Sequence, residues 1–370
     1  MTKRIRLLVT TSDFVGRGAE RELANLLQWL PRERFEIALC LWRDVFDYPC
    51  PADIPVTILG KSRPWHVLRV MRRLQQFIRE WKPDLVFSQL NYVSTVTGSA
   101  LKGLGSEPRW IARLAGNPDV EIRFPVLPWT RSSFKRATYV AGCSEGASRS
   151  IASHLRVPKE RIVTLPNVVD VESIGAALAG VASVAKRNDR FVFVNAGRFV
   201  RQKNQSMLLD AFAQAAVADS ELWILGVGPL RESLERQAET LGVADRVKWL
   251  GFQKNPYAYF RQADCFVLSS RYEGLPNVVI ESMLCGLPVI STDCPYGPAD
   301  LIDHEKTGLL TPLNDAAALA NAMRRIASDR AAAKQMGNLA QSSMRERFSP
   351  QQVVRQYVDL FERAVRENPS

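Results

Sequence analysis

The chain has 370 residues, 46% hydrophobic and 24% charged, the balance of a soluble globular protein with material for two domains of ordinary size. No apolar run approaches the roughly 20 residues that cross a bilayer, which excludes a helical membrane-spanning class. The net charge of +11 is one-sided: residues 1–170 hold 26 basic against 16 acidic side chains (+10), and residues 171–370 hold 23 against 22 (+1). Such an asymmetry points the first half toward something anionic.

The basic start, Met1–Thr11, contains the apolar run Ile5–Val9. That run is too short for a signal-peptide core and no small-residue cleavage site follows it, so it reads as a first parallel strand. Further strands are expected at Phe35–Leu41, Leu85–Ser88, Trp110–Leu114, Tyr139–Ala141 and Ile162–Leu165, with helices over Ala19–Leu30, Trp65–Trp81 and Glu145–Leu155. From Gly175 to Asp189 the chain is Ala-, Gly- and Ser-rich and then charged, without a hydrophobic period, and reads as a linker. The alternation then restarts. Strands are expected at Phe191–Ala196, Leu222–Leu225, Val247–Leu250, Cys265–Leu268 and Val289–Ser291, and helices at Gln205–Ala216, Arg231–Leu241 and Asn277–Leu284. After Pro312 the pattern is helical, and Val354, Tyr357, Val358, Leu360, Phe361 and Val365 repeat at helical spacing near the end.

Strand–helix alternation repeated in this way predicts an α/β protein with two doubly wound parallel sheets. The expected domains are residues 1–172, residues 188–349, and a terminal helix over 350–370 that packs back on the first domain. In such sheets ligands bind outside the carboxyl ends of the strands, so the chemistry belongs in the loops that follow them. Six cysteines (Cys40, Cys50, Cys143, Cys265, Cys285, Cys294) form no C-x-x-C pair, which fits a reduced, cytoplasmic protein. The three histidines are scattered, which argues against a histidine-built metal site.

The densest chemistry is the run from Arg271 to Glu281, which follows an apolar strand. Gly274 permits a tight turn, Pro276 suits a first helical turn, and Asn277 and Val278 continue it. Backbone N–H groups at such a helix start favour an anion such as a diphosphate. Glu281, a turn further in, reaches hydroxyls beside the phosphate. The plain alternative is an ordinary strand–loop–helix with a carboxylate near the positive helix end. Against that stands a second group: Asn195-Ala196-Gly197-Arg198 ends a strand of the same sheet and Lys203 opens the next helix, bringing two cations to the same loop edge.

These residues resemble the family 4 retaining glycosyltransferases. The resemblance rests on Gly197-Arg198 with Lys203, Gly226-Val227-Gly228-Pro229-Leu230, Leu250-Gly251-Phe252, and Glu273-Gly274-Leu275-Pro276 through Glu281. It continues through Ser282 to Ile290 and Thr307-Gly308-Leu309-Leu310, and Gly16-Arg17-Gly18-Ala19-Glu20-Arg21 resembles the family's first glycine-rich loop. The resemblance implies the GT-B fold, two facing Rossmann-like domains across a cleft, and a retaining transfer that needs no metal or other cofactor. It implies that Arg198 and Lys203 bind the donor diphosphate, Glu273 the donor sugar, Glu281 the ribose, and Gly251 and Phe252 the base. Gly18 would let backbone approach the donor or acceptor. Many relatives carry a histidine in a first-domain loop where this chain has Arg113-Leu114-Ala115-Gly116-Asn117-Pro118-Asp119. Asn117 is a candidate for orienting sugar or acceptor and Asp119 for a polar substitute, although Asn-Pro-Asp is also common turn chemistry.

The expected activity is transfer of a hexose or N-acetylhexosamine, from a UDP-linked donor in the first instance, to a glycan or polyprenyl-linked glycan acceptor in surface polysaccharide or lipopolysaccharide assembly. Over Trp65–Lys82, Val67, Val70, Met71, Leu74, Phe77, Ile78 and Trp81 make a core face while Arg69, Arg72, Arg73 and Arg79 fill the rest. A solvated basic face is the plain reading, and a peripheral contact with anionic membrane or a lipid-diphosphate acceptor is the alternative. A nucleotide-sugar 2-epimerase on the same fold is the enzymatic rival. Nucleic-acid binding is not expected, because the positive charge is spread over several elements and no zinc-finger or RNA-binding motif occurs.

Overall fold

The structure, a computed structural model, describes residues 3–15, 18–104, 108–122, 126–179 and 190–367. They divide into two units, Met1–Val168 with Pro350–Ser370, and Val169–Ser349.

In the first unit the chain runs β1 (Ile5–Thr11), α1 (Gly18–Trp29), β2 (Phe35–Leu41), β3 (Val56–Ile58), α2 (Val67–Trp81), β4 (Leu85–Gln89) and α3 (Asn91–Leu101). It continues through β5 (Arg109–Leu114), α4 (Pro118–Glu121), α5 (Leu127–Phe134), β6 (Tyr139–Gly142), α6 (Glu145–Leu155) and β7 (Ile162–Thr164). The strands form one parallel sheet in the order β3-β2-β1-β4-β5-β6-β7. Near-continuous apolar runs are needed here because both faces are covered and successive side chains alternate between them. In β4, Val86 joins the core that includes Val70, Leu74 and Ile78 of α2, whereas its neighbour Phe87 meets Tyr357 and Phe361 at 6.1 and 5.3 Å between ring centroids.

The second unit runs α7 (Val171–Ala179), β8 (Phe191–Ala196), α8 (Gln205–Ala215), β9 (Ser220–Leu225), α9 (Arg231–Thr240), β10 (Val247–Gly251) and α10 (Tyr257–Phe260). Then come β11 (Cys265–Leu268), α11 (Asn277–Leu284), β12 (Val289–Thr292), α12 (Pro298–Leu301), β13 (Gly308–Thr311), α13 (Ala316–Ser328) and α14 (Arg330–Arg347). Its parallel sheet has the order β10-β9-β8-β11-β12-β13. Asp315 and Asp329 cap α13 and α14 by accepting from Ala318 N and Ala332 N, at 2.8 and 2.9 Å. The last helix, α15 (Pro350–Arg366), returns to the first unit, where Phe361 packs edge-on against Phe35.

Three expectations are corrected. The linker does not open at Gly175, because α7 continues to Ala179 on alanines, the strongest helix formers; residues 180–189 lie outside the described residues. Strands β3 and β13 were not expected; both are short edge strands, and β3 has no buried residue to mark it. Helix α3 was also missed: nearly all of it is buried, so it has no polar face to betray a helical repeat, and its Val and Thr residues favour strand.

Candidate functional site

The order of strands in the second unit reverses between β8 and β11. From β8 the chain moves outward through β9 and β10, and from β11 it moves the other way through β12 and β13. At such a switch the loops leaving the two central strands diverge and open a crevice at the carboxyl edge. Here those loops are Gly197–Asn204 and Ser269–Pro276, the two that the sequence singled out.

The loops are bonded to each other at several points. Ser269 Oγ donates to Lys203 O at 2.9 Å, Arg271 N to Gln202 O at 2.8 Å, and Gln202 Nε2 to Tyr272 O at 3.0 Å. At the centre, Lys203 Nζ lies 2.6 Å from Glu273 Oε1, and Ser270 Oγ donates to that same oxygen, also at 2.6 Å. Thr292 Oγ1 in turn donates to Ser270 O at 2.6 Å. Side-chain exposure is 18% for Lys203 and 7% for Glu273, so the pair is largely withdrawn from solvent without being sealed. The sequence placed both residues at the site but gave no sign that they meet. Arg198 stands exposed on the loop, and its carbonyl accepts from Gln205 Nε2 at 3.0 Å.

Close backbone packing supports this edge. Gly226 has φ +134°, and a Cβ there would fall 2.0 Å from Gly197 O, so the turn can rest on the cationic loop only with glycine at that position. Gly297, at φ +94°, approaches the Glu273 loop in the same way: a Cβ would lie 2.6 Å from Gly274 O. Gly274, Leu275 and Pro276 are buried, and Pro276 is the N-cap of α11, which begins at Asn277 and Val278 with no side-chain cap. Glu281 is buried one turn in. Gly251 ends β10, and Phe252 after it is 64% exposed, an aromatic face open to a flat ring. Burial and the Glu273 carboxylate push the nearby Cys294 thiol up to about 12, which keeps it protonated.

The first-unit candidates behave differently. Asn117 is the N-cap of α4: its Oδ1 accepts from Asp119 N at 2.9 Å, the turn chemistry named as its alternative. Asp119 is engaged by α6, with Ser150 Oγ donating to Oδ1 at 2.6 Å and His154 Nδ1 at 3.6 Å, so a histidine remote in sequence reaches it after all. Gly18 opens α1 and is exposed, while Gly16 and Arg17 lie outside the described residues. On α2, Arg69, Arg72 and Arg79 are exposed, and Arg73 donates to Leu59 O at 3.2 Å.

Two family models match the chain in tandem: Glycosyltransferase Family 4 over residues 16–173 and Glycosyl transferases group 1 over residues 181–343. The chain belongs to this glycosyltransferase family. An uncharacterized glycosyltransferase of Methanocaldococcus jannaschii is 30% identical over 258 residues, 65% of this chain and 63% of that protein. This chain thus matches less than two thirds of that relative. The Campylobacter jejuni N-acetylgalactosamine-N,N'-diacetylbacillosaminyl-diphospho-undecaprenol 4-alpha-N-acetylgalactosaminyltransferase is 27% identical over 327 residues, 80% of this chain and 83% of that one. Among solved structures, Anabaena HepE in complex with UDP superposes with a TM-score of 0.82 at 20% identity, covering 98% of this chain and all of that one. At that identity the likeness shows the fold, and the fold of this family member is GT-B: two parallel, doubly wound sheets.

Proposed function

We propose that this glycosyltransferase moves a hexose or N-acetylhexosamine from a nucleoside diphosphate sugar, UDP-linked in the first instance, to a glycan or polyprenyl-linked glycan acceptor in surface polysaccharide assembly. The anomeric configuration is retained and no metal is required. The observation that carries the reading is the switch-point cluster of the second unit, where Lys203 and Ser270 both bind Oε1 of Glu273, with Arg198 on the same loop edge. Oε1 is thereby held, and Oε2 is the oxygen left to take a donor-sugar hydroxyl. As the bond from the anomeric carbon to the diphosphate breaks, negative charge grows on the departing oxygen. Arg198, Lys203 and the start of α11 are the groups that would balance it, in the part that a divalent ion plays elsewhere.

The remaining positions suit the other parts of such a donor: Glu281 the ribose hydroxyls, Phe252 and Gly251 the base. UDP in the Anabaena complex and the diphospho-undecaprenol acceptor in the Campylobacter enzyme's name support the choice of donor and acceptor class. The test is a thermal-shift screen of UDP, GDP, ADP and their sugars in EDTA, followed by product analysis with acceptor present. A nucleotide-induced rise that survives EDTA is expected. An absolute need for added divalent metal would overturn the metal-free reading, and sugar conversion without any acceptor would favour an epimerase.

A further inference from the structure

Beyond β5 the chain turns through three polar side chains, Asn117, Asp119 and Glu121. The fold uses two of them: Asn117 caps α4, and Asp119 is held by Ser150 and His154 of α6. Glu121 is different. Among the described residues its carboxylate has no ion pair and no hydrogen-bond donor. Its backbone is nevertheless pinned. Glu121 N donates to Asn117 O at 3.0 Å, its carbonyl accepts from Asn91 Nδ2 at 3.0 Å, and Ile122 beyond it is buried in the core. A backbone oxygen only accepts, so Asn91 must face it with the amide nitrogen, and Asn91 Oδ1 is left over. That oxygen is buried and has no donor either.

The Glu121 side chain folds back on its own loop. It is exposed, yet a Cβ built on Gly116 would fall 1.7 Å from Oε1, so the carboxylate lies directly against the Gly116 backbone. The protein around it desolvates the carboxyl and pushes its pKa up to about 7. A fold that takes a carboxylate partly out of water ordinarily gives it a cation or N–H donors, and here it gives neither. Strands β4 and β5 are neighbours, so Asn91 and Glu121 stand together at the carboxyl edge, where such sheets take ligands. Acceptors short of donors call for a group rich in donors and free of negative charge. A phosphate would be repelled, whereas the hydroxyls of a sugar fit.

We propose that Glu121 binds a hydroxyl of a neutral sugar ring of the acceptor, with Asn91 as the positioning residue that holds its backbone and Gly116 as the gap its carboxylate occupies. The assignment rests on the acceptor reading above and narrows it. Whatever charge the acceptor carries elsewhere, the group that meets this loop is neutral and hydroxyl-bearing. Around Glu121, α3 carries only Tyr92 as a titratable group, α4 carries Asp119, and α6 carries Glu145, Arg149 and His154. Arg113 on β5 is committed to Glu22, and burial holds the Cys143 thiol protonated at about 12. An ionised carboxylate accepts more strongly than a protonated one, so sugar affinity should fall as pH is lowered through about 7.

The experiment is saturation-transfer NMR on the full chain, with UDP present and the methyl glycosides of glucose, galactose, N-acetylglucosamine and N-acetylgalactosamine as probes. Affinities are titrated at pH values below and above 7. Wild type should bind at least one glycoside, more weakly on the acid side. Glu121→Gln should lower that affinity about tenfold and remove its pH dependence. Gly116 has an ordinary backbone conformation, so Gly116→Ala should displace only the carboxylate and weaken binding to a similar extent with every ionisable group kept. His154→Gln should leave the pH dependence in place. Unchanged melting temperatures confirm folding, and Glu121→Gln alone decides the matter if Gly116→Ala does not fold. No glycoside bound by wild type, binding that survives Glu121→Gln, or displacement of the glycoside by inorganic phosphate would each overturn the proposal. Glu121-dependent sugar binding without any UDP-induced thermal shift would leave this sugar site standing and remove the donor reading. A UDP-induced shift without Glu121-dependent sugar binding would do the reverse.

Discussion

The Lys203–Glu273 pair makes a prediction that differs from what either residue implies alone. At an effective dielectric of about 20, two unit charges 2.6 Å apart attract by roughly 6 kcal/mol before desolvation is subtracted. Hydrogen bonds to charged groups retain about 1.5–3 kcal/mol net. Lys203→Met should therefore do more than remove a cation from the proposed donor site. It strands a carboxylate that is 7% exposed, and should destabilise the second unit by about 3 kcal/mol. Glu273→Gln strands Lys203 less severely, because the amine is more exposed and can turn to solvent. The double variant should be more stable than the sum of the single losses by about 2 kcal/mol, since neither charge is then left alone. Denaturant titration of the four proteins measures this coupling directly. Additivity within about 0.5 kcal/mol would refute the pair as a structural element, leaving Lys203 an ordinary loop cation.

Arg198 is exposed and bonds through its carbonyl rather than its side chain, so Arg198→Ala should leave the melting temperature unchanged and cut kcat by about 100-fold or more; a near-normal rate would make it a solvated surface charge. Glu281→Gln should weaken nucleoside diphosphate affinity in calorimetry, whereas Glu273→Gln should leave that affinity nearly intact and lower turnover; equal weakening would remove the division between ribose and sugar. Ser270→Ala deletes a 2.6 Å bond to Glu273 Oε1 and should lower kcat about tenfold with KM for the donor little changed, which steady-state kinetics would separate from simple unfolding. Tyr357 Oη lies 3.1 Å from Glu22 Oε1 and 2.9 Å from Pro166 O, so Tyr357→Phe should destabilise the first unit by about 1–2 kcal/mol in denaturant titration; no change would mean that this hydroxyl adds nothing to the hold on α15.

What could be read from sequence follows from what each feature demands of it. The long strands announce themselves because a sheet covered on both faces needs unbroken apolar residues, as in Ile37–Leu41 and Phe191–Val194. The Glu273 loop is legible because a tight turn, a helix start and a carboxylate fall at fixed offsets after a strand. The bond between Lys203 and Glu273 joins residues 70 positions apart, and no local pattern encodes it. Asp119 and His154 are similar: a pairing between α4 and α6 depends on how two helices pack. One missed cluster did leave a signal. Arg113 sits inside the apolar run Trp110–Leu114, and a cation in a buried strand requires a buried acid. That acid is Glu22, one turn into α1, at 2.8 Å.

The two sheets use the same topological position for opposite purposes. In the first unit the strand order reverses between β1 and β4, and a group of charged side chains near it is bonded together inside the protein. Arg113, fully buried, donates to Glu22 Oε2 at 2.8 Å and to Asn167 Oδ1 at 2.7 Å, and Gln89 Nε2 also donates to Glu22 Oε2 at 2.7 Å. Tyr357 from α15 closes the group on Glu22 Oε1, so one carboxylate ties α1, β4, β5 and the terminal helix together. In the second unit the corresponding ion pair keeps 18% and 7% exposure, enough for a ligand's hydroxyl or phosphate to reach it. A sealed pair fixes the scaffold, and a partly open one can exchange a bond within the protein for a bond to substrate. Outside that sealed pair, the loops at the carboxyl edge of the first unit keep Phe46, Trp65 and Tyr92 exposed. Lys61 over Trp42 and Tyr92, with the exposed Trp65 and Leu68 beyond, is the part of that edge whose chemistry remains available.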